Sequence, residues 1–220
     1  MEETRSDDRW LVVSRWLEYE GELRAALLRI VLVAAFYGAQ LLHFAAFSER
    51  SDADQVFHRQ ATFVAAGWLF VSLAVLVALT RHWLASWLKF VTVAIDLVLL
   101  TLLAALGSGA ASPLVFVYWV LVAMAGLRCN LPLIWFGTLG AMLAYLVLVG
   151  MRDPVWFDAN HATPPIEQMV VHLSLAAAGL IVGQLVRMVR QVTEEVFARQ
   201  LPSPSSSQAP SQSLSKGDAS

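Results

Sequence analysis

Charge is what this sequence has least of. Only 15% of its 220 residues are Asp, Glu, Lys or Arg, where a soluble domain carries about 25%. The net charge is −2, so no field of one sign selects a nucleic acid or a charged substrate. Cysteine is almost absent. Cys129 stands alone, which excludes an intramolecular disulfide and any multi-cysteine metal site. The loop histidines His58, His82 and His161 fit no metal-ligand spacing. These absences argue against a disordered chain, a nucleic-acid binder and a soluble enzyme.

Apolar residues fill the space that charge leaves. They make up 58% of the chain, and the mean hydropathy is +0.62. A helix needs about 20 mostly apolar residues to cross a bilayer. Six runs qualify: 25–47, 61–80, 87–106, 113–127, 131–150 and 166–186. They are continuous rather than alternating, which predicts an all-α, polytopic six-helix bundle and not a barrel. The fourth run is short and is expected to borrow residues from 107–112, or to have that segment dip into the bilayer against protein.

Basic residues predict the orientation. Twelve of the fifteen fall on the side of the termini; Arg50, Arg59 and Arg152 fall on the other. The positive-inside rule then places both termini in the cytoplasm, in a bacterial inner membrane. The first run is too long for a cleavable signal, holds Arg29 and follows acidic residues, so it reads as a retained anchor.

Outside the spans, residues 1–24 read as a cytoplasmic or interfacial segment. Trp10, Val13, Trp16 and Leu17 lie near one stripe of an amphipathic helix over 10–23. Residues 48–60 read as a polar outer loop. In the longer loop over 151–165, Trp156 and Phe157 are expected at headgroup level. Residues 187–200 predict a cytoplasmic helical extension of the sixth span. Val189, Val192, Val196 and Phe197 there could form a pairing seam, too short for a coiled coil. Residues 201–220 are Ser/Pro-rich and are expected to be disordered.

Asp96, in the middle of the third run, carries the sharpest chemical signal. A charge there costs at least about 2.5–3.5 kcal/mol, so it must face the bundle interior and find a partner, Arg29 or Thr92. Its role stays open between a proton-coupled or polar-ligand site and a helix–helix hydrogen bond. Gly179 and Gly183 form a small-xxx-small pattern, for close approach within the bundle or across a dimer. Gly137 and Gly140 read as packing glycines. His43 and His172 lie at similar depth, but nothing makes their spans neighbours, so a haem between them is disfavoured. The 107–114 segment, GSGAASPL, reads as a flexible turn with Pro113 in the first turn of the next helix. Its backbone N–H groups are expected at the membrane edge, where a carbonyl-bearing, lipid-soluble ligand could bind.

The stretch over 95–128, IDLVLLTLLAALGSGAASPLVFVYWVLVAMAGLR, resembles the third and fourth spans of a known membrane domain. This is the six-helix input domain of bacterial sensor histidine kinases of the redox-responsive and pilus-control types. In that family an acidic residue in the third span precedes a Leu-rich run and a Gly-Gly turn, of the form G-G-x-x-N-P-F in the redox group. Gly109 and Pro113 agree with that form; Ser108, Ser112 and Leu114 differ from it. The resemblance implies quinone sensing at Gly107, Gly109, Ser112, Pro113 and Leu114. In the kinases the helix after the sixth span leads to a phospho-acceptor helix and an ATP-binding domain. Here it runs into the Ser/Pro-rich segment, with no acceptor motif or nucleotide-binding glycine boxes. The expectation is a non-enzymatic, sensor-like input module in the lipid bilayer. It would sense quinone or another lipophilic signal, with haem disfavoured, and act through a separate signalling protein or a homodimer. The alternative is an accessory subunit of a larger membrane complex, with no ligand of its own.

Overall fold

In a bilayer, backbone N–H and C=O groups must be satisfied within the protein, and a helix does this locally. The computed structural model is accordingly all-α. It describes residues 3–47, 52–81, 87–152 and 164–200, and no strand occurs among them. The helices are α1 (Glu3–Phe47), α2 (Asp52–Thr80), α3 (Leu88–Leu106), α4 (Val117–Leu127), α5 (Leu131–Arg152) and α6 (Pro165–Gln200). Five of them contain stretches long and apolar enough to cross a membrane, and Pro113–Leu127 is a shorter apolar helix. Two 3-10 turns, Gly109–Ala111 and Pro113–Phe116, lead into α4, so the short fourth run is extended from its N-terminal side.

Two helices begin earlier than the apolar runs predict. α2 starts at Asp52, so most of the expected outer loop over 48–60 is helix. α1 is one continuous helix from Glu3, with no break between the N-terminal segment and the first span. Hydropathy marks where a helix meets hydrocarbon, not where its hydrogen bonding begins. Among the described residues, prolines sit at helix starts, where their missing N–H is harmless: Pro113 opens a 3-10 turn, Pro132 is the second residue of α5, and Pro165 opens α6.

The chain divides into two units, Met1–Val186 and Arg187–Ser220. In the first, α3 packs against α2, α4 and α5, and α1 packs against α2 and α4. The core includes Leu100, Tyr118, Leu133, Tyr145 and Leu175. Tyr118 and Thr101 share a 2.8 Å hydrogen bond across α4 and α3. Polarity is inverted relative to a soluble protein. Leu42, Phe63, Phe70, Phe116 and Leu173 are each more than 70% exposed, while Arg29, Asp96 and Arg128 are buried. In the second unit, Val189 and Val192 are exposed on helix. The side chains of Val196 and Phe197 lie outside the described residues, as do those of Trp10, Val13, Trp16 and Leu17, and all of Trp156, Phe157 and 201–220.

Gly179 and Gly183 belong to the α6 face toward α5. A Cβ at Gly179 would collide with Thr138, and one at Gly183 would touch Leu131 at 3.9 Å. Gly137 lies against Ala125, and a Cβ at Gly140 would press on Leu97 at 2.6 Å.

Candidate functional site

A cavity of about 740 Å³ lies among α1, α2, α3, the Pro113–Phe116 turn and α4. That is within the range of small-molecule and cofactor pockets, about 300–1,000 Å³. Its walls are mainly apolar, with Phe36, Trp68, Leu100, Leu103, Leu121 and Met124 among them. The 107–114 turn forms one end. Phe36 on α1 and Pro113 in the turn both line the cavity and are exposed, so the space reaches the outside of the bundle there.

The turn is built by local hydrogen bonding. Gly109 has φ 65°, a left-handed conformation that a side chain strains and glycine accepts. Its carbonyl accepts from the Ser112 N–H at 2.9 Å. Ser112 is extended and caps the next turn, its Oγ accepting from the Leu114 N–H at 3.2 Å. Its carbonyl accepts from the Val115 N–H at 3.0 Å, and the Gly107 N–H donates to the Leu103 carbonyl at 3.3 Å. The amides of Gly107, Ser112 and Leu114 are therefore engaged, and Pro113 has none. These three N–H groups of the turn are not free to meet a ligand. Gly107, Ser112, Pro113 and Leu114 do form part of the wall; Gly109 shapes the turn from outside it.

Arg29 lies deeper along the cavity wall. It is 2% exposed, and its Nη2 sits 2.6 Å from Oδ2 of Asp96, which is 3% exposed. The other Asp96 oxygen accepts from the Trp68 indole N–H at 2.8 Å. Asp96 thus stands behind Arg29 and Trp68 and does not itself line the cavity. The Arg29 contact is an ion pair without hydrogen-bond alignment: Nε, Nη1 and Nη2 have no hydrogen-bond partner among the described residues.

A second buried pair lies toward the far end of the bundle. Arg128 Nε approaches Glu22 Oε2 at 3.2 Å, and Arg128 Nη1 donates to the Lys89 carbonyl at 3.1 Å and to Thr92 Oγ1 at 3.2 Å. Burial lowers the Arg128 guanidinium from the ordinary arginine value, and the Glu22 carboxylate partly restores it. Gly21 lets α1 come this close, since a Cβ there would lie 3.1 Å from the Leu127 carbonyl oxygen. Thr92 serves Arg128 and not Asp96, so of the two expected partners Arg29 holds Asp96.

Near the cavity, Thr62 and Tyr37 are paired with each other, while Gln40 lines the wall and the buried Nδ1 of His58 has no hydrogen-bond partner among the described residues. Thr62 donates to the His58 carbonyl at 2.7 Å, which leaves Tyr37 to donate to Thr62 Oγ1 at 3.1 Å. His58 stacks on Phe44. His172 lies on α6 against Tyr145, its Nδ1 2.8 Å from the Gln168 carbonyl. The His43 side chain, His82 and His161 lie outside the described residues. Cys129 is exposed in the α4–α5 hairpin. No group of three or more His, Cys, Asp or Glu that could hold a metal occurs among the described residues.

Sequence reasoning did not find Trp68, Tyr37, Glu22 or Arg128 as members of this polar interior. Trp68 carried a usable signal: tryptophan in the middle of a span, away from the interfacial belts, needs a buried acceptor for its N–H. Compared with protein-family models, curated proteins and solved structures, the chain matches none.

Proposed function

We propose that this chain is a membrane signal-input module. It takes a lipid-soluble ligand into the cavity and passes the occupied state to a separate signalling protein or to a second copy of itself. The resemblance of residues 95–128 to sensor-kinase input domains points to a quinone. The observation that carries the reading is the cavity. It is large, apolar and open beside Phe36, and it has the 107–114 turn in its wall. An apolar space with one charged group in its wall suits an amphiphile with a small polar head. In this reading both termini face the cytoplasm of a bacterial inner membrane, as the basic residues favour.

The test is quinone content. The protein is purified in lipid nanodiscs, extracted, and its quinone per chain compared with that of an unrelated six-span protein. Enrichment that is lost in Leu121→Trp, which fills the cavity, and reduced in Pro113→Ala supports the reading. Content no higher than the control overturns it.

A further inference from the structure

We infer that Arg29 is the headgroup anchor of this cavity, and that the head it selects is a neutral carbonyl rather than an anion. The inference rests on the cavity being a ligand site, and it moves the polar end of the ligand away from the 107–114 turn.

Donor accounting leads to Arg29. A carbonyl head needs an N–H or O–H donor inside an otherwise apolar space. The amides of Gly107, Ser112 and Leu114 donate within the turn or α3. The Trp68 indole donates to Asp96, and the Tyr37 hydroxyl donates to Thr62. At the deep end of the cavity Arg29 remains. Its guanidinium lines the cavity, is almost wholly buried, and has no aligned acceptor on any of its three nitrogens. A guanidinium carries five N–H donors in a fixed fork. The ion pair with Asp96 therefore leaves donors for a second oxygen.

Charge balance sets the class of head. Arg29 is neutralised by Asp96, and Arg128 by Glu22. Lys89, also buried, lies at the far end of α3, about 10 Å along the helix from Asp96. A carboxylate or phosphate at Arg29 would add an uncompensated negative charge beside the Asp96 carboxylate, at a depth where desolvation is expensive. A carbonyl oxygen accepts from the guanidinium and adds no charge. With the head at Arg29, the apolar body lies along Trp68, Leu100 and Leu121, and the tail leaves beside Phe36 and Pro113. The turn then contacts the tail and not the head.

The experiment uses the full chain in nanodiscs and two probes, a ubiquinone with a ten-carbon tail and oleate. Binding is read by equilibrium partition. The carbonyl stretch of isotope-labelled quinone is read by infrared difference spectroscopy. Arg29→Met alone strands Asp96 and could unfold the bundle, so the main variant is the charge-neutral double, Arg29→Met with Asp96→Asn. Its helicity and melting temperature are checked first. Arg29→Lys, which keeps the charge and loses the fork, is the second variant.

Wild type is expected to bind the quinone at least tenfold more tightly than oleate, with the carbonyl stretch lowered relative to free quinone in lipid. The folded double variant should bind about tenfold or more weakly, the loss of one charge-assisted hydrogen bond, and its residual bound quinone should show the unshifted stretch. Arg29→Lys should fall between them. Unchanged quinone binding and stretch in both variants would overturn the anchor while leaving the cavity reading intact. Oleate binding more tightly than quinone would overturn the choice of a neutral head. Wild type that binds neither probe would remove this inference together with the reading it rests on.

Discussion

Trp68 on α2 donates its indole N–H to Asp96 on α3, and Asp96 in turn faces Arg29 on α1, so one carboxylate joins three helices. Both of its oxygens are engaged by different elements. Removing any member leaves a buried polar group without its partner, which is more costly than the net worth of the bond itself.

Replacing Trp68 by Phe should therefore destabilise the bundle by about 1–3 kcal/mol through loss of the donor, beyond the small loss of ring area. Denaturant unfolding in mixed micelles measures this. The same substitution in an Asp96→Asn background should cost less. Equal costs in the two backgrounds would remove the hydrogen bond as the cause.

Breaking the Arg29–Asp96 pair on one side should be worse than removing both charges. Asp96→Leu leaves Arg29 buried and unpaired, at a cost of about 3–5 kcal/mol, whereas Arg29→Met with Asp96→Leu is expected to recover most of that loss. The melting temperatures of the single and double variants decide it. A double variant no more stable than the worse single would show that the two residues do not act as a pair.

Arg128 ties α1 to α3 through Glu22, Thr92 and the Lys89 carbonyl. A double-mutant cycle with Arg128→Met and Glu22→Gln should give a coupling of about 0.5–3 kcal/mol. Hydrogen exchange should quicken around residues 20–29 in either single variant. A coupling of zero would mean the pair holds nothing.

Gly109 and Gly179 should fail for different reasons. Gly109→Ala forces a side chain into left-handed backbone, at about 1–2 kcal/mol. Gly179→Ala drives a methyl group into Thr138, at about 1–3 kcal/mol. Only the second should be relieved by a second-site change, Thr138→Ala. Thermal unfolding of the three variants and the pair separates backbone strain from overpacking.

The all-helical architecture was legible from run length alone, because a bilayer leaves an apolar run of that length few other ways to satisfy its backbone. Burial and partnering of Asp96 were legible too, since a carboxylate in the middle of an apolar run demands a partner, and Arg29 was one of two residues available. The starts of α1 and α2 were not legible. Polar residues outside hydrocarbon are as compatible with helix as with loop, so hydropathy is silent on where a helix begins. The cavity was half legible. The turn that closes it stood out by its Gly, Ser and Pro residues, but its volume depends on how far α1 and α4 stand apart, which no local pattern encodes. That the Gly107, Ser112 and Leu114 N–H groups are taken up locally was not legible, because a Gly/Ser-rich segment does not reveal which of its own carbonyls and hydroxyls accept them.

The Arg29–Asp96 pair also sets an order of events during synthesis. Its partners are 67 residues apart in the chain. At about 5–20 residues per second the ribosome needs roughly 3–13 s to reach the second after the first. During that interval α1 enters the bilayer with Arg29 unmatched, and the guanidinium, near the inner end of the run, must reach toward the interface for water. The nascent first helix thus carries a charge whose buried position waits for the third helix to arrive beside it.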